Sequence, residues 1–154
     1  MNFDIQNLLA DFKQVARLAG VTITERDITI EKLLAPHIPP NNLPAGKMAV
    51  YVFTYNYKCL KVGKVGPRSK ARYTSQHYNP KSSQSSLAKS ILKSKKDFGS
   101  YELTEITVGD WIKRNTDRLN FLVNEALGVP VLTLLESSLQ CRLRPRFEGF
   151  ASQR

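Results

Sequence analysis

Tyr51, Lys61 and Lys64 on either side of Gly63, Arg72, and Glu136 are the residues of this 154-residue chain whose types could together cleave a phosphodiester. A phenol can lie against an attacking water. Ammonium and guanidinium groups can hold phosphate oxygens and offset charge in the transition state. A carboxylate can ligate a hard divalent cation, Mg²⁺ or Mn²⁺. Glu136 stands out because its surroundings are apolar: Val131, Leu135, Leu139 and Leu143 recur at i, i+4 along a helix opened by Pro130. It follows Leu135 by about 100° of helix rotation, so it borders the buried ridge beside Leu132 and Leu139. A carboxylate in that place is costly unless it pairs with a cation such as Arg142 or ligates a metal. No Asp/Glu cluster accompanies it, which points to one metal and not two.

The elements that must position these groups follow from periodicity. Residues 48–54 and 59–64 are rich in β-branched and aromatic side chains and flank a turn containing Asn56, the pattern of a hairpin. With a three-residue loop, Tyr51 faces Gly63 and Phe53 faces Lys61 across it. Tyr51, Phe53, Lys61 and Gly63 then share one face, where Gly63 leaves room for a phosphate, while Val50, Val52, Leu60 and Val62 form core on the other. Gly66 and Pro67 open a short helix with Arg68 and Arg72 at i, i+4. Residues 85–96 form a helix through Leu87, Ile91 and Leu92, ending near Gly99; residues 101–108 alternate as a third strand. Residues 110–127 form a long helix with a stripe of Trp111, Asn115, Leu119, Leu122, Val123 and Ala126.

Upstream, Ile5, Leu8, Leu9, Phe12, Val15, Ala16 and Ala19 mark an amphipathic helix closed by Gly20. Thr24, with Asp27 in capping-box position, starts a second helix over residues 24–34. Pro36, Pro39, Pro40 and Pro44 form a linker, in which His37 is structural or solvated. The fold class expected is α/β of the α+β kind: a small three-stranded antiparallel sheet flanked by helices over residues 47–150. A helical extension and linker, residues 1–46, precede it.

Charge identifies the partner. The chain carries 23 Lys/Arg against 13 Asp/Glu, a net +10. Residues 49–100 alone hold eleven basic residues and one acidic residue; the segments on either side balance at five against five and seven against seven. An excess confined to one third of the chain points to a polyanion, DNA above all. Arg68, Lys70, Tyr73, Lys81 and Lys89 are the candidate nucleic-acid contacts, and the tyrosines interleaved with these cations suit base stacking.

The segments Ala49, Val50, Tyr51; Lys61, Val62, Gly63, Lys64; Arg72; and Leu135 to Leu139 with Pro145, Arg146 and Phe147 beyond occur in the order of the GIY-YIG nuclease superfamily, which residues 48–148 resemble. The resemblance implies metal-dependent hydrolysis to 5′-phosphate and 3′-hydroxyl ends. Tyr51 lies by the attacking water, Lys61 or Lys64 favours its phenolate, Arg72 holds a non-bridging oxygen, and a metal on Glu136 neutralises the leaving oxygen. Lys61 stands where the family has its second Tyr, as in some of its restriction enzymes. His77 or Tyr78 stands in for a family Tyr or His after the Arg. Glu148 stands where the family often has Asn, and a carboxylate cannot donate as an amide does.

Cys59 and Cys141 are too few for a disulfide framework and lack zinc spacing. The first residues lack a basic stretch followed by an apolar one, and no apolar run approaches ~20 residues, so a cytoplasmic protein outside the membrane is expected. Three readings follow: a restriction-type DNA endonuclease, with a homodimer needed to cut both strands of a symmetric site; a single-strand-specific enzyme of the same chemistry; or a non-catalytic nucleic-acid-binding module.

Overall fold

The computed structural model describes residues 4–99 and 102–147. An antiparallel sheet of four strands, β1 (Ile28–Leu33), β2 (Lys47–Tyr55), β3 (Lys58–Val65) and β4 (Asp117–Asn124), lies in the order β1-β4-β2-β3. Helices α1 (Ile5–Leu18) and α5 (Gly128–Leu143) cover one face; α2 (Lys70–Thr74), α3 (Leu87–Lys93) and α4 (Val108–Asn115) cover the other. Because both faces are covered, β2 is buried from Met48 to Thr54, and its sequence is a continuous apolar run instead of an alternating one. Among the described residues no helix is long and apolar enough to cross a membrane. Neither Cys59, which is buried, nor Cys141, which is exposed, forms a disulfide.

The α+β class is as expected, but the sheet has four strands, not three, and two of them replace predicted helices. Residues 24–34 do not form a helix. The Asp27 carboxylate accepts from the Thr24 N–H at 2.7 Å and the Thr24 hydroxyl at 2.6 Å, closing a turn from which β1 departs. The long helix over residues 110–127 is divided: α4 stops at Asn115, and β4 then runs between β1 and β2, with Ile28 opposite Val123 and Tyr51 opposite Asn120. Leu119, Phe121 and Val123 join the α1/α5 core while Arg118 and Asn120 are buried toward the other side, so period two governs this segment. Residues 102–107 are turns leading into α4, not a strand; Tyr101 lies outside the described residues. Since β1 belongs to the same sheet as β2, the boundary drawn at residue 46 passes between two strands of one sheet.

The β2–β3 register is the expected one, Tyr51 opposite Gly63 and Phe53 opposite Lys61, reached by a different route. The turn holds two residues, Asn56 and Tyr57, both at positive φ, and a bulge between Phe53 and Thr54 inserts one residue, Leu60, into β3. The bulge turns Leu60 away from Val50, Val52 and Val62 and onto the opposite core. β3 is an edge strand. Backbone N–H groups of Arg146 and Phe147 donate to the carbonyls of Cys59 and Leu60 and cover one end of that edge.

Candidate functional site

Gly63 is where the candidate site is set. A β-carbon there would lie 2.2 Å from the Tyr51 hydroxyl oxygen, so the glycine exists to admit the phenol. The space that the sequence reading reserved for a phosphate is filled by Tyr51 itself, which is 2% exposed. His77, in a 3₁₀ turn after α2, stacks obliquely on Tyr51 with ring centroids 4.5 Å apart. Lys61 is also buried on this face and donates to the Phe147 carbonyl at 3.3 Å.

The state of His77 follows from its neighbours. The Leu87 backbone N–H donates to its Nδ1 at 3.3 Å, so the neutral ring carries its proton on Nε2. That nitrogen is buried without a hydrogen-bond partner. Burial first, then the cations Lys61, Arg118 and Arg72, hold the ring's pKa well below the usual histidine value, so it is neutral at pH 7.

Arg118 was not anticipated from sequence. It is fully buried on β4, with its guanidinium 5.8 Å from the Tyr51 ring centroid, 5.2 Å from Phe53 and 5.0 Å from Tyr73. It donates to the Asn120 side chain at 2.9 Å, the Tyr73 carbonyl at 2.7 Å and the Tyr78 hydroxyl at 3.3 Å. Glu31 of β1 accepts from the Tyr73 hydroxyl at 2.7 Å and from the Asn120 amide at 2.5 Å. The network ties α2, which carries Arg72, to the sheet through the strand that sequence reading took for a helix. The alternation of Arg118 and Asn120 with Leu119 and Phe121 was the signal available.

Two predicted nucleic-acid or catalytic tyrosines belong to this interior. Tyr73 is fully buried and cannot stack on a base; burial and its bond to Glu31 push its phenol far above the usual value. Tyr78 is 8% exposed, and its hydroxyl meets His37 Nε2 at 2.8 Å and Arg118. His37, also bonded through Nδ1 to the Thr116 carbonyl, is structural. Of the two residues proposed to follow the Arg functionally, His77 stacks on Tyr51.

Lys64 and Glu136 meet on the other side of β3. Opposite Val50, Lys64 extends toward α5, where its Nζ lies 2.6 Å from Glu136 Oε2. Glu136 borders the buried Leu132, Leu135 and Leu139 as expected, with its side chain 16% exposed, and its cation is Lys64 instead of Arg142, which pairs with Asp11. Its second oxygen has no partner among the described residues, and no group of three or more His, Cys, Asp or Glu side chains gathers there. One carboxylate at a partly open rim suits Mg²⁺ or Mn²⁺, whose other positions water and a phosphate oxygen can fill.

Arg72, half-exposed in α2, has no ion pair or side-chain hydrogen bond among the described residues. Arg68 precedes α2, so it does not share a helical face with Arg72; it and Lys70 are exposed. Lys81 and Lys89 stand apart on an open depression, Lys81 paired with Glu105 at 2.9 Å and Lys89 bonded to Gln84 at 2.5 Å. Glu148 lies outside the described residues. Comparison of this chain with protein-family models, curated proteins and solved structures returns no match.

Proposed function

We propose that this chain is a divalent-metal-dependent DNA endonuclease of the GIY-YIG superfamily, leaving 5′-phosphate and 3′-hydroxyl ends. The observation that carries the reading is the seating of the Tyr51 hydroxyl over Gly63, one residue along the edge strand from the Lys64–Glu136 pair. The order of the β2–β3 hairpin, α2 with Arg72, β4 and α5 with Glu136 supports it as well.

In this reading Tyr51 contacts the attacking water, positioned by Gly63 and His77. Lys61 and Arg118 add positive charge on the same face. Arg72, paired with no acid among the described residues, grips a non-bridging phosphate oxygen with its planar fork. Glu136 would hold Mg²⁺ or Mn²⁺, which would offset the charge that develops on the departing 3′ oxygen. Arg68 and Lys70 neutralise the flanking backbone.

The single-strand reading loses its main support, since Tyr73 and Tyr78 are interior. The burial of Tyr51 and Lys61 favours the third reading, a module that binds nucleic acid without cutting it. Incubation of one oligonucleotide, single- and double-stranded, with protein and Mg²⁺ or Mn²⁺, with the product ends mapped, separates the readings. Metal-dependent cuts with 5′-phosphate ends are expected; binding with no cut in either form under either metal supports the module.

A further inference from the structure

We infer that Lys64 is a resident counter-ion which a divalent cation must displace from Glu136. This rests on the reading of Glu136 as the metal ligand. The pair is close, at 2.6 Å, and stands at a rim where Lys64 is 33% exposed and Glu136 16%. Glu136 borders a leucine ridge, where an unpaired carboxylate is disfavoured. Lys64 is the cation that satisfies it. A metal on either oxygen of this carboxylate stands within a few ångströms of an ammonium held at Oε2, and two cations at that separation beside an apolar ridge repel. The lysine side chain has four rotatable bonds and its exposed end can leave without disturbing β3, whose backbone is fixed by Tyr51 and Val50 across the ladder.

The displaced ammonium stays on the same edge strand, beside Gly63, where it can take a phosphate oxygen of the bound strand. Metal and nucleic acid therefore assist each other: the metal frees Lys64 for the phosphate, and the phosphate holds Lys64 away from Glu136. By linkage each tightens the other by the same factor. In the absence of both ligands the ion pair leaves Glu136 and Lys64 mutually neutralised.

Mn²⁺ binding to wild type, Lys64→Met and Glu136→Gln, followed by the electron paramagnetic resonance signal of free Mn²⁺, tests this without reference to cleavage. Removing one unit charge at contact distance in a solvent-screened site is worth about tenfold, so Lys64→Met should bind Mn²⁺ about tenfold more tightly than wild type, and Glu136→Gln should lose the site. In wild type, Mn²⁺ should also raise the rate at which an amine-acylating reagent modifies Lys64, read by mass spectrometry. Equal or weaker Mn²⁺ binding by Lys64→Met, with Glu136→Gln still deficient, overturns the displacement and leaves Glu136 as ligand. Absence of Glu136-dependent Mn²⁺ binding in both wild type and Lys64→Met overturns the metal reading and the displacement with it.

Discussion

On one side of β4, Leu119, Phe121 and Val123 meet Leu8, Phe12, Leu132 and Leu135; on the other, Arg118 and Asn120 meet Tyr51, Tyr73, Tyr78 and Glu31. The same strand thus closes an apolar core and a polar one. The apolar face works by area and volume, and its residues are interchangeable within limits of packing. The polar face works by geometry: Arg118, Asn120 and Tyr73 each donate to a specific acceptor, only His77 Nε2 among the described buried side chains lacks one, and the arrangement fixes α2 and the Tyr51 ring. A fully buried guanidinium with no carboxylate on it, held by three aromatic rings and three acceptors, is a costly arrangement for structure alone. That asymmetry means that Tyr51 and Arg72 are positioned from the α2–α4 side, whereas Glu136 reaches the β3 edge from α5 on the other.

The contrast can be broken by paired substitutions. Phe121→Ala on the apolar side should cost about 3–5 kcal/mol in urea unfolding, while the protein that remains folded keeps its cleavage rate. Arg118→Met, which preserves bulk, should cost about 3 kcal/mol by orphaning its buried partners and should also depress cleavage by the folded protein. Equal catalytic effects from the two would erase the distinction between the faces.

Gly63→Ala sharpens it further. The new methyl must push the Tyr51 hydroxyl from a site only 2.2 Å away, for a stability loss of about 1–3 kcal/mol. Displacement of a reacting group by ~1 Å costs about 100-fold in rate, so cleavage should fall by that order with DNA binding unchanged. A variant that cuts normally would remove Tyr51 from the mechanism.

Acidification should act through the polar face. Burial and nearby cations hold His77 well below its ordinary pKa, so the unfolded chain takes up a proton near pH 6.5 that the folded chain refuses. Stability from this group is whole above about pH 6.5 and declines as pH falls toward the folded pKa, by at most ~1.4 kcal/mol per pH unit. His37, lowered chiefly by burial, adds the same sign. Urea midpoints between pH 7.5 and 5 should drop in wild type and less steeply in His77→Gln; parallel slopes would mean that His77 is not buried neutral. Smallest of all, Glu105→Gln, which breaks the exposed pair with Lys81, should change stability by less than ~0.5 kcal/mol.

What sequence could reveal differs between these regions for physical reasons. The β2–β3 register was legible because Tyr51, the turn and Gly63 follow one another in a single local hairpin, and a two-residue turn plus a bulge gives the same pairing as the assumed three-residue loop. α1 and α5 were legible because each buries a single stripe. β1 and β4 were not, since each pairs with a strand remote in sequence and β4 buries both faces, so Arg118 and Asn120 looked like the solvent side of a helix. The same long-range pairing hid the Glu31–Asn120–Arg118 network. Composition likewise cannot distinguish an exposed tyrosine from an interior one, and Tyr73 was misplaced for that reason. Lys64 and Glu136 were each visible as candidates, but not as each other's partner, because their meeting depends on how α5 lies on β3.

The central claim is that Tyr51, Arg72 and Glu136 act as one phosphodiesterase site, and the separation of binding from cutting tests it most directly. Wild type, Arg72→Ala and Glu136→Ala should all retain binding to the same duplex, Arg72→Ala somewhat weaker, while Mn²⁺-dependent cleavage appears in wild type alone. Cleavage by Glu136→Ala at the wild-type rate, with the same product ends, would contradict the account.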